Sequence, residues 1–220
     1  LKDGTPAFGN PAESRAVIVT GSTAHGKKHS NRIGGWGNEA FQNTLNNFTV
    51  DTGKGNPGAV GVDFLASNRG GMYNIRIRSG DGQGVAGLDQ TRPWPGPGLI
   101  KNVSIEGFDY GMMQRTMDAS MTYEHITLRN QNLAAIRISG SPFMSMRKVI
   151  SHNAVPVLEP EKSGSAMTMF VDSEFHYTGE GNPPAAVTNQ GNLLLQRVTV
   201  SGYETTVANK GKNLRADLAT

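Results

Sequence analysis

The feature that most constrains this chain is a repeat of about two dozen residues, since a self-similar chain folds by stacking units and not by packing a few long elements together. One unit reads apolar, any, Asn or another polar residue, apolar, any, apolar, polar, then a Gly-rich turn and a second short apolar strand. The clearest copies are Leu45-Asn46-Asn47-Phe48-Thr49-Val50, Met72-Tyr73-Asn74-Ile75-Arg76-Ile77, Ile100-Lys101-Asn102-Val103-Ser104-Ile105 and Tyr123-Glu124-His125-Ile126-Thr127-Leu128, and weaker ones start at Met146, Phe170 and Leu195. The first positions, 45, 72, 100, 123, 146, 170 and 195, lie 27, 28, 23, 23, 24 and 25 residues apart.

The strands alternate with period two and the turns carry Gly, Pro, Asn and Ser, so each unit is a coil of short strands joined by bends. A leucine-rich repeat has a similar period but needs Leu-x-x-Leu-x-Leu and a helical half, and neither is present. With 28 Gly, 11 Pro and only 18% charged residues, composition also argues against long amphipathic helices. The reading is all-β: a right-handed, single-stranded parallel β-helix of about seven or more coils, forming one domain over residues 1–220, with loop insertions at 21–37 and 79–98. Leu1 to Asp3 reads as the tail of a strand, so the natural protein is expected to begin upstream.

Stacked coils place equivalent residues in columns about 4.8 Å apart. The third column, Asn47, Asn74, Asn102, His125, Lys148, Asp172 and Arg197, opens with an asparagine ladder, in which each amide bonds the next. The seventh, Asp51, Arg78, Glu106, Arg129, His152, His176 and Ser201, alternates in charge. It reads as a surface salt-bridge ladder or as a cleft line able to meet a uronate. The second strands give Asp63, Asp89, Met113, Arg137, Leu158, Thr188 and Ala208.

Coils of this length with an asparagine ladder resemble the pectate-lyase-like (pectin lyase-like) β-helix superfamily. The stretch from Gly37-Asn38-Glu39-Ala40-Phe41-Gln42 through Phe48-Thr49-Val50-Asp51-Thr52-Gly53 to Gly61-Val62-Asp63-Phe64 is similar to laminarinase-like and polygalacturonase-related domains. The resemblance spans residues 37 to 205 or so and implies a secreted or periplasmic bacterial protein acting on a polysaccharide or oligosaccharide. The polygalacturonase signatures Asn-Thr-Asp, Asp-Asp, Gly-His-Gly and Arg-Ile-Lys are all absent.

Two chemistries follow for glycosidic bonds. Asp63 and Asp89, on adjacent coils, would stand about 5 Å apart, near the spacing of a retaining glycosidase pair. Arg92 and Trp94, in the long 79–98 insertion, would position the sugar, with Arg137 further along the same column. The same two aspartates read equally as turn caps or calcium ligands. Elimination on a uronate instead asks for a base such as His152 or Arg129 beside a basic column that includes Arg78 and His176, with calcium as an optional helper. Hydrolysis needs no cofactor. A separate expectation is a carbohydrate-binding or structural segment without catalysis, of the adhesin or spike kind.

Other patterns are weaker. Gly21-Ser22-Thr23-Ala24-His25-Gly26-Lys27-Lys28 nearly matches a phosphate loop but has Lys28 where a hydroxyl must hold magnesium. Gly53-Lys54-Gly55-Asn56-Pro57-Gly58 matches the dinucleotide fingerprint but precedes a strand, so it reads as a turn. His25 and His29 bind metal together only on a helix, which their glycines oppose. A net charge of +3 with no basic block gives no reason to expect nucleic acid, and no apolar run is long enough for a membrane span. The absence of cysteine excludes disulfides and thiolate chemistry.

Overall fold

The computed structural model describes residues 1–21, 40–93, 95–115, 120–161, 166–210 and 213–218. Within them two short 3-10 turns, Pro6–Phe8 and Pro11–Glu13, precede sixteen strands. The strands divide between two parallel sheets of eight, which wind into a β-solenoid of about seven turns. One sheet holds short strands: β1 (Arg15–Val19), β3 (Ala59–Asp63), β5 (Ala86–Gln90), β7 (Tyr110–Gln114), β9 (Ala134–Ile138), β11 (Leu158–Pro160), β13 (Ala185–Asn189) and β15 (Thr205–Asn209). The other holds longer ones: β2 (Thr44–Asp51), β4 (Gly70–Arg78), β6 (Gly98–Glu106), β8 (Ser120–Arg129), β10 (Phe143–Asn153), β12 (Met167–Tyr177), β14 (Asn192–Ser201) and β16 (Asn213–Leu218).

The columns expected from the repeat are the columns of the long sheet. Leu45, Met72, Ile100, Tyr123, Met146, Phe170 and Leu195 are successive register partners. The apolar spacing of one, four and six has a local cause. All seven third-column residues, from Asn47 (φ 60°) to Arg197 (φ 51°), adopt the left-handed conformation. That bend inserts an extra step in the alternation, so that Met72, Ile75 and Ile77 all turn inward while Tyr73, Asn74 and Arg76 do not. Asn accepts this conformation more readily than most residues, which explains its place in the first three coils. The amide of Asn74 donates to Asn47 and that of Asn102 to Asn74, each at 2.9 Å. In β16 the bend is missing: the pairing shifts by one between Gln196 and Val198, and Val198 meets Leu218. The repeat pattern therefore passes over this eighth long strand.

The core is the space between the sheets, where Met72, Ile77, Leu88, Ile100, Ile105 and Leu128 are fully enclosed. It is narrow at one corner. Gly61 and Gly87 hold the same place in successive coils, and a Cβ at Gly61 would lie 2.3 Å from Ile77 Cγ2 and 2.6 Å from the Gly87 carbonyl. Only glycine fits so close an approach.

Three expectations need adjustment. The 79–98 insertion is not one loop, because β5 runs through it from Ala86 to Gln90. Leu1 to Asp3 forms no strand, although the Gly4 N–H donates to the Lys54 carbonyl. In the short sheet Arg137 is followed by Glu159 and not by Leu158, which pairs with Ile136. Leu158 is 2% exposed, and sliding it by one would turn it to the opposite face. The turn at Gly53–Gly58 is as expected, with Gly53 and Gly55 at φ 68° and 67°. The near-phosphate loop from Ser22 onward, with His25 and His29, lies outside the described residues.

Candidate functional site

Two places gather the residues singled out above. The first is on the short sheet. Asp63 and Asp89 are register partners, as the columns require. Alternation along β3 puts Asp63 on the face opposite Val62, yet all five residues of β3 and all five of β5 are buried. Arg92 lies over this face: its Nε donates to Asp63 Oδ1 at 2.7 Å and its Nη2 to the Thr20 and Asp63 carbonyls at 2.6 and 3.1 Å. Asp63, Asp89 and Arg92 are 3%, 1% and 4% exposed. Asp89 accepts from the Thr91 N–H at 2.8 Å, the geometry of a turn cap. Thus the carboxylates are brought together, but they are closed over by a guanidinium where a sugar would have to enter. They also suit calcium poorly, since a divalent ion at Asp63 would face the Arg92 cation. Trp94 lies outside the described residues.

The second place is the outward face of the long sheet, beyond the left-handed bend. Here the seventh column runs unbroken: Asp51, Arg78, Glu106, Arg129, His152, His176 and Ser201 are partners in sequence. At its first end Arg78 pairs with Asp51, Nη2 to Oδ2, at 2.7 Å, and Arg76, one residue pair back, reaches Glu106 at 3.0 Å. The Gly53 N–H, and then Arg78, hold the Asp51 carboxyl below its ordinary pKa. A cleft of about 380 Å³ opens there, lined by Asp51, Arg76, Arg78, Glu106, Lys54 and Asp3 among others. The salt-bridge ladder therefore exists at this end, though Glu106 chooses Arg76 over its column neighbours.

At the other end the character changes. Arg129 is exposed, and among the described residues no carboxylate stands within 4 Å of it. The rings of His152 and His176 stack at 4.9 Å with an angle of 18°. Partial burial lowers the His152 pKa and the positive charge of Arg129 beside it lowers it further, so His152 is an unprotonated imidazole at neutral pH. His176 meets Ser201 Oγ through Nδ1 at 2.8 Å and Glu174 Oε2 through Nε2 at 3.3 Å. Glu174 and Ser201 were not among the residues expected to act. The signal for Glu174 is in the sequence, since a residue two before His176 on a strand shares its face.

Arg137 stands apart from both places, on the short sheet. Its guanidinium lies 4.8 Å above the Tyr110 ring, donates to the Tyr110 hydroxyl at 2.9 Å and pairs with Glu161 at 2.9 Å. Among the described residues no group of three His, Asp or Glu side chains converges as a metal would require, and no helix is long and apolar enough to cross a membrane. No family model matches this chain, and neither a curated protein nor a solved structure does.

Proposed function

We propose that this chain is a carbohydrate-active β-solenoid that cleaves glycosidic bonds of a uronate-containing polysaccharide by elimination, on the outward face of the long sheet. The observation that carries the reading is the succession Arg129, His152 and His176 on three adjacent coils, exposed or half-buried. An extended polymer laid along the solenoid axis would meet one such side chain about every 4.8 Å. Among the described residues Arg129 has no carboxylate partner, and it would take the uronate carboxylate, drawing charge from the adjacent carbon. His152, kept unprotonated, would accept the proton from that carbon. The C4–O bond then breaks as the C4–C5 double bond forms, and the departing oxygen takes a proton from solvent. Arg78 and His176 would hold neighbouring sugars. The resemblance to pectate-lyase-like proteins points the same way.

The hydrolytic alternative through Asp63 and Asp89 has less support, because substrate would have to displace Arg92 to reach a pair so buried. Products distinguish the chemistries. Incubation with polygalacturonate and related uronans should release unsaturated ends that absorb in the ultraviolet, and Arg129→Ala or His152→Ala should abolish the signal. Reducing ends that accumulate without that absorbance would mean hydrolysis. Binding on a glycan array without either product would mean a non-catalytic carbohydrate-binding or structural segment.

A further inference from the structure

The contacts of His176 point to a second chemistry. We propose that Glu174, His176 and Ser201 form a nucleophilic triad that cleaves small ester groups, such as acetyl esters carried on a carbohydrate. The three residues come together through the solenoid's own geometry. Glu174 and His176 are two apart on β12, so both project outward, and the register between β12 and β14 sets Ser201 directly beside His176. The two hydrogen bonds use different ring nitrogens, 2.8 Å to Ser201 Oγ and 3.3 Å to Glu174 Oε2. With a neutral ring they are mutually consistent in one tautomer: Nε2–H donates to the carboxylate, and Nδ1 is left as the acceptor for the serine hydroxyl. That is the arrangement in which a base can draw the proton from a serine while a carboxylate orients it.

A purely structural role asks for less. A surface histidine between two polar neighbours needs neither a hydroxyl on one nitrogen nor a carboxylate on the other, and nothing requires the ring to be held. Here it is held, because the His152 ring lies against its face at 4.9 Å. Ser201 is exposed at the end of its strand, open to an ester approaching from solvent.

The step balances without any further reactant. Ser201 Oγ attacks the carbonyl carbon as its proton passes to His176 Nδ1. The tetrahedral intermediate expels the alcohol oxygen, which takes that proton. Water then attacks the acyl-serine with His176 as base, the acid leaves, and the hydroxyl is restored. The inference does not rest on the elimination reading: His176 is common to both, but the bond cleaved and the product differ.

The experiment is to treat the full chain with a fluorophosphonate probe, map the adduct by mass spectrometry, and measure hydrolysis of p-nitrophenyl acetate and release of acetate from an acetylated polysaccharide. The expected result is one adduct, on Ser201, and a loss of at least about a hundredfold in ester hydrolysis for Ser201→Ala. His176→Gln should prevent labelling altogether, whereas Glu174→Gln should slow it by about tenfold or more, and the rate should rise with pH to a plateau as an imidazole loses its proton. Each variant changes an accessible side chain, and an unaltered melting curve would confirm that the fold is intact. Absence of an adduct, an adduct on another residue, or a Ser201→Ala variant as fast as the parent chain would overturn the inference. Ultraviolet-absorbing uronate ends are read separately, so either proposal can fail alone.

Discussion

The short sheet and the long sheet carry the same kinds of side chain, and burial gives them different work. On the short sheet an arginine and two aspartates are enclosed, with the Arg92–Asp63 contact at 2.7 Å and both side chains 4% exposed. On the long sheet Arg78 and Asp51 make a contact of the same length, 2.7 Å, with side chains 45% and 39% exposed. Distance alone would rank the two pairs as equal. Solvent separates them: the outer pair exchanges one set of hydrated partners for another, whereas the inner pair must remain matched or leave a charge buried away from water without its ion-pair partner. The inner pair thus cannot lose one partner cheaply, and the outward face of the long sheet is the one that solvent and solutes reach.

The sharpest way to break that contrast is to remove one inner partner. Arg92→Ala leaves the Asp63 carboxylate enclosed without the guanidinium, and the expected loss is about 3 kcal/mol or more of stability. Chemical denaturation followed by circular dichroism would measure it. A loss under about 1 kcal/mol would mean that the short-sheet pair behaves like a surface pair after all. Next in size is packing at the narrow corner. Gly61→Ala would push a methyl group against Ile77 and the Gly87 carbonyl, and backbone cannot yield as a side-chain tip can, so about 1 to 3 kcal/mol should be lost. An equally stable variant would show that the short sheet can move away from the long one.

How much of this contrast the sequence shows follows from what a repeat encodes. Register is legible: matching Leu45 to Met72 and Asn47 to Asn74 aligns every later column of the long sheet, because one face must stay apolar. The pairing of Asp63 with Asp89 was legible for the same reason. Burial was not. Nothing in the period states that Arg92, from the turn after β5, folds back over Asp63, since this depends on loop conformation and not on alternation. The weaker signals failed where the repeat is imperfect. β11 is only three residues long, so Leu158 and Glu159 could exchange places on paper, and β16 lacks the left-handed residue by which its relatives are recognised. Ser201 stood in the correct column, yet its partnership with His176 shows only when both ring nitrogens are located.

On the long sheet the corresponding test of the outer pair is Arg78→Gln. An exposed pair of this kind contributes about 0 to 1 kcal/mol, so the change in stability should be small and should shrink further in high salt, as the charges are screened. The ratio between this loss and that of Arg92→Ala is the quantity of interest: near unity, the distinction between the sheets collapses. Both variants keep the backbone register, which makes the comparison one of solvent exposure.

The smallest effect is the most specific to the outward face of the long sheet. His152 has its pKa lowered in the folded chain, first by burial and then by Arg129 and His176, below the ordinary value of 6.5. In the unfolded chain it titrates near that ordinary value, so at pH values just below 6.5 the unfolded state binds more protons than the folded one. Stability therefore rises with pH in this window. The contribution from an unprotonated His152 is complete above pH 6.5 and is lost as the pH falls toward the lowered value. His152→Gln should flatten this part of the profile while leaving the more acidic limb, where Asp51 and Asp172 take up protons, in place. Denaturation midpoints collected across pH 5 to 8 would show it, and a slope unchanged by the substitution would mean that neither burial nor the neighbouring charges lower the His152 pKa in the folded chain.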